Sequence, residues 1–276
     1  KKTVLHIFNS KYYLDKKKIE NLPVVLFGDF YSQELSLILI NTNDQKNINN
    51  IFENCNLKIR KILLNSFIKC VNISDSNNNT DTFFLVKINA DNSKILYFEN
   101  NSLKFEQNFK FGTDIIIKDI SKIISLKKDL LEFILGQIKF TSNIPEDELI
   151  EENLFHNYNY RKIKKKLIYK IALARVREIF DVVLFKNINF DHYNKLSKNI
   201  YLEINDKSHI QTFRNIYEST FSDNSFYNLF FMDSLTGENV LNSAFKLVHF
   251  GWKKEAIPIS NYKKSLIKRF LDNIFG

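Results

Sequence analysis

Two short segments of this chain combine cations with bulky apolar side chains at spacings that suit a binding surface. Between Arg161 and Lys170 stand six cations and no acid, interleaved with Ile163, Leu167 and Ile168. The chain ends in YKKSLIKRFLDNIFG, where Leu266, Ile267, Phe270, Leu271, Ile274 and Phe275 recur at steps of one and three. On a helix that spacing gathers them into one stripe, with Lys263, Lys264, Lys268 and Arg269 on its flank and opposite face. The chemistry on offer is capture of an anion beside burial of apolar surface. Bond-making types are thin by comparison. His6, His156, His192, His209 and His249 are scattered without ligand spacing, so no metal site is expected. Neither Cys55 nor Cys70 has a histidine near it in sequence, and no P-loop, G-x-S-x-G or zinc signature is present.

The elements that must position these residues belong to a globular protein. The chain has 276 residues, 44% of them apolar and 26% charged, with a formal net charge of +9. That surplus suits nucleic acid, anionic lipid or an acidic partner. Nucleic acid is disfavoured because aromatics do not interleave with the cations as a stacking platform requires. Two thiols point to a reducing cytosol, and there is no apolar run of 18 residues to span a membrane. The chain opens on KKTVLHIF without a methionine, which suggests that an N-terminal part is missing.

Strands are expected at TVLHIF, within VVLFGDFYSQELSLILIN, and in the hairpin block TFFLVKINA, SKILYFEN and SLKFEQNFKF. Glu99 to Ser102 makes the tight turn, with asparagines suited to positive φ. Helical periodicity runs over 44–55, 119–140 and 160–185, then from Ser208 to Phe221 and along GENVLNSAFKLVHFGW. NIYLEIND is a strand, TSNIPEDELIEEN an acidic loop, and AIPISN a linker before the terminal stripe. Alternating strands and helices without an internal repeat favour an α/β fold with a mixed sheet.

Several stretches in this order resemble FtsA, the actin-like cell-division protein of bacteria. TVLHIFNSKYYLD and IENLPVVLFGDFYSQELSLI are similar to two segments of the subdomain peculiar to that family. The block from DTFFLVKINADNS to FGTDIIIKDI lies where the family carries its DIGGGTTD phosphate loop. IALARVREIFDVV, NVLNSAFKLVHFGW and the terminal stripe match three later helices in order. The resemblance implies an actin/ribonuclease-H-like fold lacking its first subdomain. Residues 1–32 would end the FtsA-specific subdomain, 33–120 and 186–235 would form the second lobe, and 121–185 would be a helical insert. Residues 236–254 would return toward the first lobe, and 255–276 would hold the linker and a membrane-targeting amphipathic helix.

By the same resemblance, a nucleotide would sit at Asn89, Asp91, Asn92, Ser93, Gly112 and Asn205. A phosphate cradle needs bared backbone N–H groups, which glycines permit. Here Lys87-Ile88-Asn89-Ala90-Asp91-Asn92-Ser93-Lys94 replaces the glycine-rich loop, a lysine stands for its first Asp, and Glu203-Ile204-Asn205-Asp206 replaces the adenosine loop. A plain hairpin with a polar turn is therefore the expectation. ATP with magnesium follows only from the resemblance, and no enzymatic activity is expected.

The family's helical subdomain docks the C-terminal peptide of FtsZ, the tubulin-like division protein, which carries an acid before an apolar middle. Arg175 matches the family by position, while Arg161, Lys162 and Lys166 are candidates from charge alone; a solvated helix face is the other reading of this run. From Asn261 to Phe275 there are four cations and one acid, which favours anionic lipid over the protein's own core. Six large apolar side chains would contribute on the order of 10 kcal/mol if fully buried, before ordering costs. A helix lying in the interface buries about half of that, and each cation near anionic lipid adds about 1 kcal/mol. The resemblance thus implies an adaptor tethering FtsZ to the cytoplasmic face of the inner membrane at the division site. It also implies self-association into actin-like filaments. A PilM-like assembly protein of a pilus or secretion system is the alternative.

Overall fold

The computed structural model describes residues 1–256 except 25, 77–79, 139, 141–142, 157, 194–196, 206 and 223–225. The side chains of 192, 207–210 and 222 are likewise outside the description. In chain order the elements are β1 (Lys2–Leu14), β2 (Lys17–Ile19), β3 (Tyr31–Asn41), α1 (Thr42–Glu53), α2 (Asn65–Ser76), β4 (Phe83–Ile88), β5 (Ser93–Glu99) and β6 (Ser102–Phe109). Then follow α3 (Asp114–Ile124), α4 (Lys128–Gln137), α5 (Lys165–Phe180), α6 (Ile188–Tyr193), β7 (Asn199–Ile204), α7 (Lys207–Ser222), β8 (Asn228–Met232), α8 (Gly237–Phe250) and β9 (Glu255–Ala256).

Two compact units divide the chain: residues 1–64 with 246–276, and residues 65–245. The sequence reading drew its first boundary at residue 32, whereas here β3 and α1 fall within the first unit. In that unit β3, β1 and β2 pair antiparallel in the order β2-β1-β3, and β9 pairs with β1 at Ile7 and Phe8. His6 lies buried in this sheet and donates from Nδ1 to Glu255 at 2.7 Å, while its Nε2 accepts the Leu64 N–H. Lys61 reaches the other Glu255 oxygen at 2.9 Å. Burial pushes the Glu255 carboxyl up, but the His6 and Lys61 hydrogen bonds and the Lys61 charge hold it below its ordinary value.

The second unit is built on a five-stranded sheet, β6-β5-β4-β7-β8. Strands β4, β5 and β6 form an antiparallel meander, and β7 and β8 continue from β4 in parallel. This strand order fits the actin/ribonuclease-H-like fold expected from the sequence. Phe83-Phe84-Leu85-Val86 is a continuous apolar run because the central strand is buried on both faces. On one face Phe84 stacks on Tyr97, within a core that takes in Ile120 of α3, Val176 of α5 and Tyr217 of α7. On the other, Phe83 packs with Phe98 and Tyr201.

Hairpin positions match the sequence reading: Asn100 and Asn101 take φ of 49° and 62° in the β5–β6 turn. Two helices do not. The expected helix over 119–140 is broken at Ser125, which adopts a left-handed conformation that ends α3. The expected helix over 160–185 begins only at Lys165 and closes in a π-helical turn at Asp181–Phe185. Arg161 to Lys164 are not helical because Ile163 is drawn into the core and its carbonyl accepts the Ile150 N–H at 2.9 Å. Strand β8 had no counterpart in the sequence reading.

Candidate functional site

All six residues expected near a nucleotide lie in the second unit, around the end of β4 and the start of α3. Asn89 N–H donates to the Asn92 carbonyl at 2.9 Å, closing the β4–β5 turn. The Asn89 side chain donates to Asn92 Oδ1 at 2.6 Å, and Asn92 in turn donates to Asp91 at 2.6 Å. Asn205 donates to Asn89 Oδ1 and accepts from Ser234, while buried Ser93 donates to the Phe111 carbonyl at 2.7 Å.

The backbone donors of Thr113, just before α3, and of Asp114, its first residue, are engaged as well. Thr113 N–H donates to Asn89 C=O and Asp114 N–H to Ala90 C=O, both at 2.9 Å. Gly112 permits this approach, since a Cβ there would lie 2.0 Å from the Asn89 carbonyl oxygen. A helix N-terminus that would otherwise face an anion is thus capped by the loop itself.

Beneath the loop lies a buried charge cluster. Glu203 is wholly buried, accepts from Lys69 Nζ at 2.7 Å on each oxygen and from Ser234 Oγ at 3.0 Å, and forms an ion pair with Lys87 at 3.3 Å. Burial lowers the Lys69 pKa, and Glu203 works against that shift. Lys87 therefore answers a carboxylate of its own protein. Lys94 is likewise paired, with Glu106.

The second site is a cleft of about 450 Å³ between the C-terminal end of α3 and the start of α5. Arg161, Lys162, Lys164, Lys166 and Lys170 line it together with Ile123 and Leu167. Ile123 is 58% exposed and Leu167 43%, so apolar ground lies open beside the cations. Arg161 donates to the Ser125 carbonyl at 2.8 Å, a cation at the C-terminus of α3.

The acidic loop supplies the counter-charges: Asp147 pairs with Lys164 and Glu148 with Lys165, each at 2.7 Å, and Glu146 pairs with Lys166. Hydrogen bonds from Lys166 and Lys164 hold the Glu146 and Asp147 carboxyls below their ordinary values, and Asp147 raises Lys164. Arg161, Lys162 and Lys166 are thus brought together, whereas Arg175 does not line the cleft. It lies further along α5, tied to Asp119 of α3 and to Glu178 at 2.7 Å.

A scan against protein-family models finds no match. A curated relative, cell division protein FtsA of Neisseria meningitidis serogroup B (strain MC58), is 23% identical over 175 residues, covering 63% of this chain and 42% of that protein. The chain is similar to FtsA. The match spans less than half of that FtsA's length. Among solved structures, MreB 5 of Spiroplasma citri bound to AMPPNP is 12% identical with a TM-score of 0.47, covering 85% of this chain and 68% of the other. A PilM-PilN type IV pilus biogenesis complex is 9% identical with a TM-score of 0.43, covering 83% and 62%.

Set beside the glycine-rich loop expected from FtsA, the sequence locates the turn but not the Lys69–Glu203 pair, nor Ser234, which joins Glu203 to Asn205. It also missed the pairing of Glu146 to Glu148 with the cationic run. The terminal residues Lys263, Lys264, Leu266, Ile267, Lys268, Arg269, Phe270, Leu271, Ile274 and Phe275 lie outside the described residues. No helix of the described residues is long and apolar enough to cross a membrane.

Proposed function

We propose that this chain is an actin-fold adaptor of bacterial cell division that binds the C-terminal peptide of FtsZ in the α3–α5 cleft. In this reading residues 261–276 attach it to the cytoplasmic leaflet, and copies associate into filaments that multiply a modest single-copy attachment. The observation that carries the reading is the cleft, where five cations stand beside exposed Ile123 and Leu167. An acidic peptide with an apolar middle finds both halves of its chemistry there. Likeness to FtsA supports the cellular role.

The adaptor works without hydrolysing ATP. The loop that would meet phosphate carries no glycine, and the N–H groups of Asn89, Thr113 and Asp114 are bonded within the protein. Titration of a labelled FtsZ C-terminal peptide tests the partner: Lys166→Glu with Arg161→Glu should weaken binding about tenfold or more, and unchanged affinity would remove the cleft from the reading. Flotation on anionic vesicles tests the anchor. Removal of residues 261–276, or Phe270→Glu, should abolish co-flotation, and equal flotation of all three proteins would dispose of the lipid claim.

A further inference from the structure

The cationic cleft is already answered in part from within the molecule. Residues 148–150 run antiparallel to 163–165: Leu149 bridges Lys164, Ile150 N–H donates to Ile163 C=O, and Lys165 N–H donates to Glu148 C=O, both at 2.9 Å. From this anchored stretch three consecutive carboxylates meet three consecutive lysines. The three pairs differ in kind. Glu148 and Lys165 are fixed by the backbone pairing and partly covered. Glu146 and Asp147 sit on the turn before it, with side chains 66% and 90% exposed. Of the three acids, Glu146 is the one that lines the cleft, where it holds Lys166.

We propose that Glu146, assisted by Asp147, is a built-in competitor that makes the cleft selective for segments both acidic and apolar. This rests on reading the cleft as the peptide site. A partner carboxylate reaching Lys166 replaces Glu146, so one ion pair forms as another is lost. Exposed pairs are weak and exchange readily, and the swap by itself favours neither state. Net binding then comes from what Glu146 cannot offer, the apolar side chains that cover Ile123 and Leu167. At Lys166 a purely acidic segment gains nothing by entering. Rejection of such competitors is a form of specificity built by opposing the wrong ligand.

The test uses the whole chain and two labelled probes, an FtsZ C-terminal peptide and an octaglutamate of similar length. Glu146→Gln with Asp147→Asn should tighten the FtsZ peptide by about threefold to tenfold, the scale of releasing one or two exposed ion pairs. It should also tighten octaglutamate by a larger factor than the FtsZ peptide. Both substitutions lie on an exposed turn, and an unchanged thermal midpoint would exclude a folding effect. If Lys166→Gln weakens the FtsZ peptide but the double variant binds it no more tightly, the site stands and the competitor is overturned. If neither Lys166→Gln nor Arg161→Gln changes the FtsZ peptide affinity, the site itself is overturned, and the competitor with it.

Discussion

The loop at the end of β4 and the cleft between α3 and α5 both gather charged and polar groups within the second unit, yet they use them in opposite ways. Around Asn89 the donors and acceptors close on one another, and the charges beneath are buried with their partners. In the cleft the ion pairs lie at the surface, with open apolar ground beside them. Buried pairs are strongly destabilising to break, while exposed ones contribute little and exchange freely. Polar character alone therefore does not mark a site. What matters is whether a ligand can replace the partners already present.

The largest expected effect breaks the buried side of this contrast. Glu203→Ala leaves Lys69 and Lys87 without their carboxylate and should cost about 3–5 kcal/mol, read by chemical denaturation. A loss below about 1 kcal/mol, the scale of an exposed pair, would place both regions in one class. Next comes Gly112→Ala, whose Cβ would collide with the backbone of the β4–β5 turn; about 1–3 kcal/mol of stability should be lost.

A smaller effect is expected at Arg175. Because it lies beyond the cleft, Arg175→Glu should lower FtsZ-peptide affinity less than Lys166→Glu does, by about twofold. Equal losses would extend the site along α5.

Smallest is the Glu255 pair of the first unit, intermediate between the two regions. Its carboxyl is held below the ordinary value, so its contribution is present above the unfolded-state pKa and is lost as pH falls through the folded one. Glu255→Gln should flatten the fall in stability on the acid side of that value, measured by denaturation across pH. An unchanged acid limb would mean that the pair contributes nothing.

Local signals were legible in the sequence, and long-range ones were not. The β4–β6 meander could be read because alternation and the Asn100-Asn101 turn are properties of neighbouring residues. The absence of glycine from residues 87–94 was legible for the same reason. Strand β8 escaped because a short apolar run such as NLFFM has no period that separates strand from helix. Arg161 to Lys164 read as helix, but pairing of 163–165 with residues 148–150 keeps α5 from beginning before Lys165. Glu203 carried no signal of its own, since Lys69 lies 134 residues away. The acidic loop and the cationic run were each conspicuous, yet nothing in the sequence joined Glu146 to Lys166. The α3–α5 packing and the 148–150 bridge do that.

Hydrogen exchange of the whole chain, with an FtsZ C-terminal peptide in one series and Mg-ATP in another, compares the two regions in a single measurement. The peptide should slow exchange at the end of α3 and across 161–170, and Mg-ATP should leave 88–93 and 112–114 unchanged. Slowed exchange at those loops with Mg-ATP, and none at the cleft with the peptide, would contradict the assignment of an open cleft and a closed loop.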